Sequence, residues 1–249
     1  MWVTIDVEEV QDMNFDIKWK KAPRIDYKSN IEWFIKISKD KKPTAFVLGS
    51  FAKKYPNIVQ KLSEHFEIAS HGFFHKLVYN QPFDEWKNEL LKSKETLEQI
   101  TQKKVVGYRS PSWSMPFEKK YYEFLAKSGF IYSSSYFPMK NYMYGNNINK
   151  KNPFNIYTKY GIIEERPIPK GVIPFSGGFY LRVLPLFYLK SQFKKNRNAV
   201  LYIHPYELID KNLLFYFKKY AHINLDYFLA FFHFGNTRKK LLKIINEID

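Results

Sequence analysis

His71 and His75 stand four residues apart in Ser70-His71-Gly72-Phe73-Phe74-His75. On one helical turn, two imidazoles at that spacing face the same way, with Cβ atoms about 5–6 Å apart. Two imidazoles and one carboxylate make an open metal site that leaves room for water and substrate. The thermolysin-like pattern needs a glutamate directly after the first histidine, and Gly72 fills that place. A general base must then come from elsewhere. Asp6 and Glu8 offer two carboxylates, two residues apart. In an extended chain their side chains point to the same side. One can bind the metal while the other takes a proton from water. Arg109, in Arg109-Ser110-Pro111-Ser112-Trp113, and His204, in His204-Pro205, complete the set. Taken singly, each has a plainer reading, as an ordinary histidine or a loop carboxylate.

Their placement is what sets them apart. Short apolar runs at Trp2–Ile5, Thr44–Leu48, Phe66–Ala69, Val105–Tyr108, Phe130–Tyr132 and Ala199–Ile203 read as strands. Helical patterns separate them. Asn30 is a candidate cap for a helix carrying Ile31, Phe34 and Ile35, and Ser50 starts a helix through Val59 and Leu62. Asp84 to Thr101 is a long amphipathic helix with Trp86, Leu90, Leu97 and Ile100 on one side. Phe117 to Lys127 and Thr237 to Ile248 are further helices. Alternating strands and helices predict a parallel sheet or barrel in one domain. Residues 138–174 break the rhythm with Asn, Gly, Tyr and Pro, and predict loops and short hairpins. In such folds the working residues sit at the carboxyl ends of strands. Asp6, Glu8, His71, His75, Arg109 and His204 all follow one.

Composition narrows the function classes. The chain has 249 residues, 45% hydrophobic and 26% charged, which is globular and not disordered. There is no cysteine, so disulfides, thiolate metal sites and a thiol nucleophile are excluded. The charge is +16, from 40 basic and 24 acidic residues. Only Arg24, Arg109, Arg166, Arg182, Arg197 and Arg238 are arginines. The lysines are scattered point charges, not the bidentate forks that read phosphate or guanine. Solvated helix faces, or loose attraction to an anionic membrane or glycan, fit better than specific nucleic-acid binding. Leu225 to Phe234 is the longest apolar run, too short and interrupted to span a bilayer, and reads as a buried helix. The opening residues show no signal peptide, which makes a cytoplasmic enzyme the expectation.

Four blocks, in order, now resemble a known family. They are Thr4-Ile5-Asp6-Val7-Glu8-Glu9, His71-Gly72-Phe73-Phe74-His75, Arg109-Ser110-Pro111-Ser112-Trp113 and Leu201-Tyr202-Ile203-His204-Pro205. Together they resemble the motifs of polysaccharide deacetylases with the NodB homology domain, carbohydrate esterase family 4, in the subtype with Asp-Val-Glu first. Ser176-Gly177-Gly178-Phe179-Tyr180-Leu181-Arg182-Val183-Leu184-Pro185 and His204-Pro205-Tyr206-Glu207 are similar to that subtype's C-terminal extension, associated with exopolysaccharide and surface-glycan synthesis. The resemblance implies a distorted (β/α)7-type barrel over residues 1–249, with 175–249 as an extension packed on it. It implies a divalent metal, usually zinc, and hydrolysis of N- or O-acetyl groups on a sugar polymer or glycan intermediate by metal-bound water. Residue by residue, Asp6 resembles the base, Glu8, His71 and His75 the metal ligands, and Arg109 the arginine that holds the base. Ser112 matches the oxyanion-stabilising position, with Pro111, Trp113 and Tyr206 as substrate-binding neighbours, and His204 resembles the acid.

Two departures follow. Many relatives have a second Asp as ligand where Val7 stands, so the ligand moves to the longer Glu8. Many also support the acid histidine with an aspartate, and none lies between Asp84 and Asp210; Glu165 is the expected substitute. Three other readings compete. An iron-oxygenase facial triad wants a carboxylate two residues from the first histidine, and Glu67 and Glu64 do not fit that spacing. A non-catalytic glycan-binding relative would keep the fold and not the chemistry. A basic nucleic-acid binder would show salt-dependent binding. The expected partner is an acetylated oligosaccharide or polysaccharide, or a lipid-linked glycan.

Overall fold

The structure is a computed structural model that describes residues 1–138, 150–196, 198–232 and 237–247. Along the chain, β1 is Trp2–Val7, α1 Tyr27–Ser38, β2 Thr44–Val47, α2 Gly49–Lys54, α3 Pro56–Ser63 and β3 Glu67–Ser70. Then come α4 Phe83–Thr101, β4 Gly107–Tyr108, α5 Lys119–Lys127, β5 Tyr132–Ser133, β6 Phe154–Thr158 and β7 Gly161–Glu165. The last elements are α6 Gly178–Val183, α7 Leu186–Lys195, β8 Val200–Ile203, α8 Leu213–Lys218, α9 Leu225–Phe231 and α10 Thr237–Glu247. None of the described helices is long and apolar enough to cross a membrane.

The chain divides into two compact units, Met1–Pro43 with Lys170–Asp249, and Thr44–Pro169. In the first, β1 pairs in parallel with β8, from Trp2 opposite Val200 to Ile5 opposite Ile203. Both strands are apolar runs buried almost throughout, as a parallel sheet covered on both faces requires. Because they are parallel, Asp6–Glu8 and His204 emerge at the same end. Ser176–Gly178 runs beside β8: Tyr202 N–H donates to Ser176 O at 2.9 Å, and Gly177 bridges Tyr202. A Cβ on Gly177 would lie 2.0 Å from the Tyr202 carbonyl oxygen, which explains the glycine there.

In the second unit, β2, β3, β4, β5 and β7 are parallel neighbours in that order, and β6 closes the edge antiparallel to β7. Helix α4 buries Trp86, Leu90 and Leu97, as its period predicts, while Ile100 is only half-buried. The β6–β7 hairpin falls inside the expected loop-and-hairpin stretch; residues 139–149 of that stretch lie outside the described residues.

Several local expectations are corrected. Helix α1 begins earlier than Asn30, and Asp26 caps it by accepting from Ser29 N–H at 2.9 Å. Asn30 is a buried mid-helix residue whose amide donates to Pro205 O at 2.9 Å and accepts from Arg238. The single helix expected from Ser50 to Leu62 is two helices. Pro56 lacks the N–H that would continue α2, and it suits the first turn of α3. Helix α5 starts at Lys119, not Phe117. The Leu225–Phe234 run is not buried all round: α9 buries Tyr227, Ala230 and Phe231 but exposes Leu225 and Phe228. His233 and Phe234 lie outside the described residues, as does Ile248 at the end of the expected last helix.

Candidate active site

The second unit carries the histidine pair. His71 follows β3 and continues its ladder, its N–H donating to Val47 O at 3.0 Å. His71–His75 is not a helical turn. Gly72 and His75 both take left-handed backbone, φ +84° and +56°. That turn still brings the two rings to a centroid separation of 5.2 Å. Left-handed backbone costs nothing at glycine but is strained at histidine, and such strain concentrates at working sites. Both rings are buried. His71 Nδ1–H donates to Arg109 O at 2.9 Å. That bond fixes the tautomer and leaves the Nε2 lone pair for a ligand.

Arg109 follows β4, the strand beside β3. Its side chain is fully buried, with Nη2 donating to Ser134 Oγ at 3.1 Å and the guanidinium 4.0 Å over the Phe46 ring. The following turn is also left-handed, at Ser112 (φ 48°) and Trp113 (φ 49°). Its shape is held by Ser110, whose N–H donates to Ser135 Oγ and whose hydroxyl accepts from Met115 N–H. Pro111 is buried, and Trp113 is a packed residue against Phe137, with centroids 5.5 Å apart. The indole is spent on the core and not laid open as a platform for a sugar ring.

The first unit carries the carboxylates and His204. Asp6, in β1, and Glu8, just beyond it, are buried. His204 follows β8, and its Nε2 lies 3.9 Å from Glu8 Oε1. Tyr206 lies flat against the His204 ring, with centroids 5.1 Å apart and planes 9° apart, and its hydroxyl donates to Glu8 Oε1 at 3.4 Å. The ring is thus committed to packing His204.

Glu165 does not support His204. It is fully buried and accepts from the N–H groups of Ser135 and Tyr136 and from the Tyr122 hydroxyl. Burial pushes its carboxyl up to about 7, although these donors and Ser133 pull the other way. The partner of His204 is Glu207, whose Oε2 accepts from Nδ1–H at 2.8 Å. Glu207 also accepts from the His204 backbone N–H at 3.1 Å and so ties down the first turn of the chain after β8. The readable signal was a glutamate three residues after the histidine, in His204-Pro205-Tyr206-Glu207. Burial disfavours the His204 imidazolium, but the hydrogen bond and charge of Glu207, with Glu8 and Asp6 adding to them, outweigh it and raise the group to about 9. Burial likewise works against ionised Glu207, and the charge of Arg182 and the bond to His204 overcome it, so its carboxyl is lowered.

Residues 16–130 match the polysaccharide deacetylase family, and residues 134–249 match a domain of unknown function, DUF3473. The first stretch holds His71, His75, Arg109 and Ser112; the second holds Glu165, Arg182, His204 and Glu207. No curated protein matches the chain. Among solved structures, a candidate polysaccharide deacetylase from Mycobacterium smegmatis superposes with a TM-score of 0.60 at 18% identity, over 88% of this chain and 70% of that one. A mutant of BA3943 of Bacillus anthracis, a carbohydrate esterase family 4 pseudoenzyme with restored activity, superposes at 0.50 and 16%, over 82% of this chain and 56% of that one. The fold is therefore the distorted (β/α)7-type barrel of the NodB homology kind. The chain is thus similar to the polysaccharide deacetylase family over residues 16–130 and to the domain of unknown function over residues 134–249.

Proposed function

We propose that this protein is a metal-dependent deacetylase of an acetylated glycan. The observation that carries the reading is His71 beside His75 on one strained turn, buried, with the Nδ1 of His71 already engaged. The donor set, one buried carboxylate and two buried imidazoles, suits a divalent ion such as zinc, with Glu8, His71 and His75 as ligands. When bound, the ion would polarise the acetyl carbonyl and acidify water.

The protein's own residues divide the remaining work. Asp6 takes the proton from the attacking water, and Arg109 is the arginine that orients this base. The backbone N–H at Ser112 stabilises the developing oxyanion, a contribution of about 3–4 kcal/mol for one such donor. His204 protonates the leaving nitrogen. Pro111, Trp113 and Tyr206 act on the substrate indirectly, by shaping the turns that carry Ser112 and His204.

For the substrate, a glycan intermediate made near an anionic membrane fits the scattered lysines. Binding to anionic vesicles should be weak and vanish at a few hundred millimolar salt, since surface charges are screened beyond about 8 Å at physiological ionic strength. Acetate release from an N-acetylated oligosaccharide tests the activity. Oligosaccharide binding with no release, at full metal loading, would favour a non-catalytic glycan-binding protein.

A further inference from the structure

Arg182 is the one arginine in Ser176–Pro185, a stretch that the proposed chemistry leaves without a task. It lies on α6 and is buried. Its Nη1 donates to Glu207 Oε1, in an ion pair between two buried groups. Its other nitrogens donate to the backbone: Nη2 to Ala230 O at 2.6 Å and Nε to Phe232 O at 3.3 Å. Glu207 spends its second oxygen on His204 Nδ1–H. The chain of contacts runs from α9 through Arg182 and Glu207 to the imidazole. Helix α6 is itself pinned at its far end, where Lys240 of α10 donates to the carbonyls of Leu181, Arg182 and Leu184. A planar fork reaches a carboxylate and two carbonyls at once, which an ammonium group cannot do in the same geometry.

We infer that Arg182 is a positioning residue for proton delivery: it holds Glu207, and Glu207 fixes the orientation of His204 by accepting from Nδ1–H, so that in the imidazolium the transferable proton sits on Nε2 and faces the substrate. This rests on the deacetylase reading, and it gives the segment of unknown function a task. In the step concerned, the C–N bond of the tetrahedral intermediate breaks as the His204 Nε2 proton moves to the departing nitrogen. The products are an amine and acetate, and His204 is left neutral.

The test uses Arg182→Lys and Glu207→Gln in the full chain, since loss of all charge at Arg182 would strand a buried carboxylate. One readout is the downfield ring N–H proton of His204, assigned by its disappearance in His204→Gln. The other is turnover of two acetates: an N-acetylated oligosaccharide, whose amine must be protonated to leave, and an aryl acetate, whose phenolate need not be. In both variants the proton signal should be lost or shifted. Turnover of the amide should fall about 10²-fold or more, as for a lost general acid, while the aryl ester falls far less and KM for the amide stays within a few-fold. An unchanged proton signal in Arg182→Lys, or an equal fall on both substrates in correctly folded protein, would overturn the inference. Wild-type protein that shows the signal but releases no acetate would sink the deacetylase reading and leave the positioning chain standing.

Discussion

The ring of His71 is held by the backbone of Arg109, Nδ1–H to carbonyl oxygen at 2.9 Å. The acceptor is main chain at the end of the neighbouring strand, so the ring orientation is set by the sheet register and not by a second side chain. His71 should therefore be the Nδ1–H tautomer before any metal is added. Nitrogen-15 chemical shifts of the histidine rings in metal-stripped protein check this. An Nε2–H ring would mean that His71 cannot present its lone pair as proposed.

Asp6→Asn should keep the fold and the metal but lose most turnover, about 10²–10⁴-fold for a missing general base. Metal content and acetate release, measured on the same sample, separate the outcomes. Loss of metal, with activity recovered at saturating zinc, would exchange the roles of Asp6 and Glu8.

Glu165 predicts a pH dependence of stability. Its folded-state value is raised from 4.5 to about 7 by burial. The folded protein then holds the proton more tightly than the unfolded chain does. This contribution is fully present below about pH 4.5 and is lost as the pH rises through about 7. Glu165→Gln keeps an acceptor for the two backbone N–H groups and cannot ionise. Its melting temperature should change less than that of the wild type between those pH values. Parallel melting curves for the two proteins would show that Glu165 is not the source.

Gly177→Ala should destabilise by about 1–3 kcal/mol, the usual cost of overpacking. The added Cβ meets the Tyr202 carbonyl oxygen at 2.0 Å, and that oxygen belongs to β8. Gly129→Ala meets nothing within 4 Å but takes a left-handed backbone, φ +81°, so it is a control for conformational strain alone. Thermal denaturation of both checks the difference. Equal losses would mean that the close approach at Gly177 is relieved by a shift.

Strand positions were readable because each is a short apolar run closed by a turn signal, and the residues after those runs are the ones the structure brings to strand ends. Spacing alone does not separate a helical turn from a left-handed one: either brings His71 and His75 together, and the structure uses the left-handed turn. The partner of His204 is neither an aspartate nor the distant Glu165 but Glu207, three residues on, a contact that depends on the turn after β8 and that spacing alone does not reveal. Trp113 shows another limit: an aromatic at a strand end has the same sequence signature whether it faces a substrate or, as here, Phe137. Helices α6 and α8 are six residues each and too short to display a period.

The most direct test of the account is acetate release from an N-acetylated oligosaccharide by chelator-stripped protein titrated with zinc. The account predicts no release from stripped protein, full recovery as one equivalent binds, and neither binding nor recovery in His75→Ala. Release that persists without metal, or none with one zinc bound, would contradict it.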